Sequence, residues 1–546
     1  MTTSSVSYPF AGARSATPPF PLTALQKLAL PVGAILFDVL FWQERMALNM
    51  LLYTLVLVGA VAAELPRHAP HWRSGYFWLT LVGTLLSAAL VAVYGSTAAQ
   101  LACVASLASW LGYVNQAHVR LVGYAVLTGL LNLLPATQRL AQQLRLPPDL
   151  AGRAGQVRFY LRLLIVPVGA LLLFHLLFVL ANPRYEALTN RLWEVLGEAL
   201  DVLFERLSVP HMLFFALGLL LTAGAVLIVP VHFFADHESR FGEFVQRQRD
   251  RVASFAVRNP NFQLQTHGPL ALRREYLIAV SLLVLVNLLL LLENAIDIRW
   301  IWFGFRPAPG FDLTQFVHEG TYVLILSILV AMGIVLWFFR RNLNFYQPGL
   351  RVLRWGATVW VAQNAVLAVS VGLRNYYYIV YTGLAYKRIG VYGFLLLTLF
   401  GLVTVLLKIW QRRSAYSLVR LNMLAAYAML LLLAAGNWEV WMVRYNLQPQ
   451  FQRVDYGFLL AMPDRVLPEL AAQAHTLPGR ELTQEDDYGH WADLPATAAQ
   501  SRLQHRIRAF EALEARRNWP SRTWADWQAA HYFRPTLTAR GNAGRP

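Results

Sequence analysis

The residues most able to do chemistry are ionisable side chains set in or beside long apolar runs. A charge at the centre of a membrane span costs roughly 2.5–3.5 kcal/mol on insertion scales, so one that persists there is a functional candidate. The densest group is Glu293-Asn294-Ala295-Ile296-Asp297-Ile298-Arg299-Trp300. Glu293 and Asp297 stand four apart, on one face of a helix. Two carboxylates so placed can relay a proton or bind a cation, and Arg299 is near enough to neutralise one of them. The same pattern also suits a helix end among head groups, with tryptophan in the aromatic belt.

Phe316-Val317-His318-Glu319-Gly320 opens the next apolar run. A His-Glu pair at a helix start can titrate near neutral pH, or can be a solvated terminus. It is no zinc motif: the second His would fall where Tyr322 stands. The third cluster runs from Arg374 to Arg388 and holds Tyr376, Tyr377, Tyr378, Tyr381 and Tyr386. Tyrosines in a belt explain it blandly. Arg374 and Arg388 facing a cavity would instead bind an anionic head group or sugar phosphate. Asp38, Gln363 and Asn364 also lie in or beside spans and could line the same cavity. The candidate polar pocket is therefore Asp38, Glu293, Asp297, Arg299, His318, Glu319, Arg374, Tyr381 and Arg388. No phosphate-binding glycine loop and no Gly-x-Ser-x-Gly elbow occur, so no motif selects a phosphotransfer or hydrolase reaction. No metal and no cofactor are implied.

The elements that must position these residues are membrane helices. Of 546 residues, 57% are hydrophobic and 14% charged, against about 45–50% and about 25% in soluble proteins. That excludes a disordered chain and an ordinary soluble enzyme. The single cysteine, Cys103, excludes an intrachain disulfide. The net charge of +17 is carried by arginine, with lysine only at 27, 387 and 408. No basic block is interleaved with aromatics in a soluble domain, so nucleic-acid binding is not expected. The arginines instead follow the positive-inside rule.

Apolar runs near 46–64, 76–95, 97–115, 119–135, 159–181, 212–235, 275–298, 319–339, 353–373, 388–409 and 416–436 meet the length of a span. A twelfth, 27–42, carries Asp38 and either spans or lies re-entrant. The fold class is an all-α polytopic bundle of 11–12 spans with a small helical C-terminal domain. Residues 1–22 read as a disordered lead lacking signal-peptide features, 23–181 and 212–436 as membrane helices, and 437–546 as a small helical tail. Arginines in 136–158, 236–274, around 345 and around 412 place those loops in the cytoplasm. The loops 182–211, 299–318 and 374–387, and the tail, then face outward. Within 182–211 leucines recur at helical spacing opposite Glu194, Glu198, Asp201 and Glu205, the pattern of an interfacial amphipathic helix.

Several of these motifs resemble a bacterial family of polytopic membrane proteins, domain of unknown function 4173, related to 4153. The matching stretches are Phe37-Asp38-Val39-Leu40-Phe41-Trp42 with Asn49, Asn294 through Trp302, Val317-His318-Glu319-Gly320, the segment 376–392 and Arg444-Tyr445-Asn446. Asp455-Tyr456, Pro463-Asp464 and Leu467 continue it into the tail. The family's Tyr-Gly-Leu-Thr is altered here: Thr382 separates Tyr381 from Gly383, and Ala385 replaces the Thr. The resemblance implies an inner-membrane protein and no activity.

Three functions remain. One is a transporter or flippase with a polar pocket near the outer leaflet. Another is a membrane sensor or envelope scaffold whose tail binds a partner. The third is a membrane-embedded enzyme acting on a lipid-linked substrate. Expected partners are membrane lipids and either a small molecule or an envelope protein.

Overall fold

A segment can lie in lipid only if it closes its backbone hydrogen bonds internally, and the long apolar runs do so as helices. The computed structural model is an all-α polytopic bundle with an extramembrane tail. It describes residues 22–143, 208–245, 269–303, 305, 313–339, 342–485 and 491–542, with parts of 163–194. The long helices are α1 (Ala24–Phe41), α2 (Leu48–Glu64), α3 (Gly75–Tyr94), α4 (Thr97–Asn115), α5 (Val209–Val226), α6 (Pro269–Asp297), α7 (Leu313–Phe338), α8 (Leu350–Thr382), α9 (Tyr386–Gln411) and α10 (Ala415–Ala435). The tail adds α11 (Trp438–Asn446), α12 (Ala496–Arg516) and α13 (Trp524–Asn542).

Among the described residues eight helices are long and apolar enough to cross a membrane: α1, α3, α4, α5, α6, α8, α9 and α10. The sequence predicts eleven or twelve; of the remaining runs, 319–339 falls in α7, whose described apolar part is the 17 residues Tyr322–Phe338. The run 27–42 is α1, whose 18 residues suffice to span. α2 has 17 residues. The run 119–135 is broken at Asn132 into Val122–Leu131 and Leu133–Gln143. Ten residues rise about 15 Å, half of the hydrocarbon core. At the break the Asn132 side chain ties the chain to the end of α5: Nδ2 donates to the carbonyls of Gly224 (2.7 Å) and Leu227 (3.1 Å), and Oδ1 accepts from Val229 N (3.0 Å). Most of 159–181, the amphipathic segment 182–211 and much of the basic loop 236–274 lie outside the described residues.

The chain forms two compact units. The first comprises 1–44, 55–69 and 129–230. There α1 packs on α5. A capping box starts α1: Thr23 Oγ1 accepts from Gln26 N (3.1 Å) and Gln26 Oε1 accepts from Thr23 N (3.3 Å). Phe37 lies over Gly218 and Thr222 over Gly33, the close approach that small residues allow in membranes.

The second unit comprises 45–54, 70–128 and 231–546. α3 pairs with α4, and α10 packs on both. α6, α7 and α9 pack on α8. At 33 residues, α8 is about 50 Å long, well beyond the ~30 Å hydrocarbon core. The tyrosine segment, expected as a loop from 374, is thus mostly the emergent end of this helix, and only Gly383–Ala385 turn.

The tail, expected as helical, contains helices at Leu467–Ala472, Ala496–Arg516 and Trp524–Asn542. It also contains a sheet the sequence does not announce. β1 (Arg453–Asp455) pairs parallel with β2 (Glu481–Glu485), and β2 antiparallel with β3 (Trp491–Asp493). Strands of three to five residues are too short for a period-two pattern to register. Met442, Val443, Tyr456, Leu459, Leu467, Leu503 and Phe510 share one core, so α11, the sheet and α12 form a single body.

A Cβ on Gly112 of α4 would meet the Ala125 carbonyl oxygen of the helix Val122–Leu131. Gly112→Val is expected to lower stability by about 1–3 kcal/mol through overpacking. Thermal unfolding in detergent reads this, and an unchanged midpoint would show that the two helices do not meet there.

Candidate binding site

The site is built on the seam between the parallel helices α6 and α8. Polar side chains recur there at sevens, Asn287 and Asn294 on α6 and Gln363, Ser370 and Tyr377 on α8, with Gly356 a further seven before Gln363. Asn287 Nδ2 donates to the Gly356 carbonyl (3.1 Å) and Gln363 Nε2 to Asn287 Oδ1 (2.7 Å). Asn294 Nδ2 donates to the Gln363 carbonyl (3.1 Å). Above them α6 widens into a π-turn, Ile298–Trp302. Trp302 Nε1 donates to Ser370 Oγ (2.9 Å) and Tyr377 OH to the Ile301 carbonyl (3.1 Å), which pins the turn onto α8.

At this level Asp297 and Arg374 form a buried ion pair, Oδ1 to Nη2 at 2.5 Å. Their side chains are 1% and 8% exposed, so the pair is sealed from solvent rather than offered to a ligand. Arg299, which the sequence puts beside Asp297, is exposed, and Glu293 is half-buried. Neither joins an ion pair among the described residues.

Where α8 ends, Gly383 has φ +90°, a left-handed conformation that side chains disfavour. Asn446 of α11 clips this turn: Leu384 N donates to its Oδ1 (2.5 Å) and its Nδ2 donates to the Leu384 carbonyl (2.9 Å). Arg388 Nη1 donates to the Gly383 carbonyl, and its guanidinium sits 4.2 Å from the Tyr378 ring centre. Around this turn opens a cavity of about 490 Å³. Arg388, Tyr381, Thr382 and Asn446 line it from the helix ends, Arg453, Asp455 and Trp491 from the tail sheet, so two guanidinium groups face one carboxylate. Cationic, hydroxyl and aromatic groups around one space suit an anionic, partly apolar head group.

Two of the nine predicted residues, Tyr381 and Arg388, therefore share a cavity, and two others, Asp297 and Arg374, pair beneath it in the α6–α8 seam. Asp38 belongs to the other unit, where it pairs with His211 (2.8 Å) under the stacked ring of Trp42. His318 and Glu319 fall in the first turns of α7, and their side chains lie outside the described residues. No group of three metal-ligating side chains occurs among the described residues.

Sequence reasoning missed a second ionic cluster. Glu439 Oε1 accepts from Tyr386 OH (3.0 Å) and pairs with Arg465 (2.5 Å), and Arg465 donates to the Tyr94 carbonyl at the end of α3. Arg45 pairs with Asp526, and Glu514 with Arg517 (2.6 Å) and Arg522 (3.0 Å). Burial, and then the neighbouring charge of Arg517, pull the Arg45 guanidinium down to about 10, so it stays protonated at neutral pH. Arg45 and Asp526 are far apart in sequence, and no local spacing signals them. Glu439, an acid directly after the last span and Trp438, was the one visible signal.

A family described as Domain of unknown function (DUF4153) matches residues 52–473. The match takes in α3–α11, the Gly383 turn, Asn446 and Glu439. No curated protein and no solved structure matches.

Removing one partner of a buried pair strands the other charge and costs about 3–5 kcal/mol, whereas replacing both with apolar groups is near neutral. Asp297→Asn and Arg374→Leu are each expected to destabilise the protein strongly, and Asp297→Leu with Arg374→Leu to recover most of the loss. A double-mutant cycle by thermal unfolding measures this, and additive single effects would contradict the pair. Loss of function in Asp297→Asn alone therefore reports folding as much as chemistry.

Proposed function

We propose, for a chain that belongs to the family described as Domain of unknown function (DUF4153) and so inherits no stated activity, that this multi-pass membrane protein is a transporter or flippase. Its ligand is an anionic amphiphile, held by the head group in the cavity beside Arg388. The carrying observation is that cavity itself, about 490 Å³, at the ends of membrane helices, where Arg388 and Arg453 outnumber the single carboxylate of Asp455 among aromatic walls. A guanidinium pairs with phosphate or carboxylate through parallel donors, and the chain of the ligand would remain in lipid. The segment 376–392 is the motif on which we place the chain nearer to the related bacterial family 4173.

The location we propose is the bacterial inner membrane with the tail outside the cytoplasm. Arg351, Arg354, Lys408 and Arg412 support it, because they sit at the ends of α8 and α9 far from the tail. A scaffold role is the second reading. Trp519, Trp524 and Trp527 are exposed on the tail, and the last two stack at 4.7 Å, an aromatic surface that a protein partner would use. An enzyme on a lipid-linked substrate would use the same cavity as the first reading.

Cys103 is buried, so a single added thiol reports alone. In Ser501→Cys, at an exposed position of α12, an impermeant maleimide is expected to label intact spheroplasts. Labelling only after permeabilisation would reverse the orientation. In proteoliposomes, fluorescent phosphatidylglycerol is expected to cross between leaflets faster than in empty vesicles. Arg388→Gln should slow this roughly tenfold, the worth of a charged hydrogen bond, with Arg388→Lys intermediate. A wild-type rate equal to that of empty vesicles sinks the transport reading.

A further inference from the structure

A second cavity, of about 460 Å³, lies on the other side of the first turn of α9. It is walled by the ends of α3, α4, α9 and α10, and therefore sits at the level of lipid head groups. Arg45 lines it, as do Ser96, Thr97 and Ala98. The last three begin the 19-residue helix α4, with Ser96 as its N-cap. Ser96 Oγ accepts from Ala99 N (3.2 Å), which leaves the amides of Thr97 and Ala98 without intrahelical acceptors where the helix dipole favours negative charge.

Glu439, which is 5% exposed, also lines the cavity, and Arg465 bridges its carboxylate to the Tyr94 carbonyl two residues before Ser96. Glu439 Oε1 is satisfied by Tyr386 and Arg465. Its Oε2 is buried and accepts no hydrogen bond among the described residues. A buried carboxylate oxygen without a donor is costly, and a donor brought by a ligand removes that cost. The ionised side chains lining the space are Arg45, Arg465, Glu439 and Asp526, two of each sign. A ligand of zero net charge leaves that balance intact.

We propose that this cavity binds an aminoalkyl phosphate zwitterion of the phosphoethanolamine type. The phosphate rests on the N-terminus of α4 and Arg45, and the primary ammonium donates to Glu439 Oε2. An ammonium offers N–H donors that a quaternary choline lacks. Phosphatidylglycerol carries no cation for Glu439. The site is separate from the Arg388 cavity and does not rest on the transport reading.

The test is lipid retention, read by native mass spectrometry on the full chain released from mixed micelles. With equimolar lipids, phosphatidylethanolamine should be retained about tenfold over phosphatidylcholine and phosphatidylglycerol. Retention should fall stepwise through the mono-, di- and trimethylated ethanolamine lipids. Free phosphoethanolamine forms the second arm: displacement of the lipid by it identifies a soluble ligand, and no displacement identifies the lipid head group. Glu439→Gln should abolish the preference, and the methylated series reads the same contact in the unaltered chain should that variant fail to fold. Equal retention of all three lipids, or a preference unchanged in folded Glu439→Gln, overturns the proposal.

Discussion

Inside lipid a polar group has no water to turn to, and the seam between α6 and α8 is organised by that constraint. Asn287, Gln363 and Asn294 donate to one another and to neighbouring carbonyls at heptad intervals, while Asn294 Oδ1 and Gln363 Oε1 accept no hydrogen bond among the described residues. Sliding one helix past the other by a single residue would open every one of these contacts together. The register they hold decides the height at which Asp297 meets Arg374 and where the π-turn docks on Ser370 and Tyr377. It thereby decides where α8 emerges and where Arg388 stands. The cavity is downstream of amides that never face it.

Charge organises the extramembrane side differently. Arg465 joins the end of α3, through the Tyr94 carbonyl, to Glu439 of α11, and Tyr386 adds the start of α9. Such buried pairs add little net stability over apolar packing, because both charges lose their hydration. They do make misalignment expensive, since one displaced partner leaves an uncompensated charge. Apolar contacts among Met442, Leu459 and Leu467 hold the tail together, and the ions fix how it meets the helix ends.

What was legible in the sequence follows from which signals are local. Span length is local, so the bundle could be read from runs of apolar residues. The cost of Asp297 in such a run was also visible. Its partner was not, because Arg374 lies one helix away and Arg299 is nearer in sequence. The segment 374–388 suggests Arg374 and Arg388 on one cavity; Arg388 lines one with Tyr381, while Arg374 is turned into the seam by Asp297. The break at Asn132 is silent in hydropathy, since one amide among leucines barely alters a window average. The tail sheet is made of strands too short to show alternation, and the pairing of Arg45 with Asp526 spans nearly the whole chain. Gln363 was noticed as a polar intruder, but the sevenfold spacing that gives it meaning needs both helices in view.

The clip by which Asn446 holds Leu384 has a consequence for how the protein is made. The turn after α8 is synthesised and threaded into the bilayer well before its clasp exists. Only when α10 has crossed and α11 has emerged can the amide reach back and close it. The walls of both cavities thus remain incomplete through most of translation, and maturation is set by the arrival of the C-terminal segment. A ribosome stalled after α10 would leave a protein that is inserted and helical, yet recognisable to quality control by the open turn and the unanswered carbonyl at Tyr94.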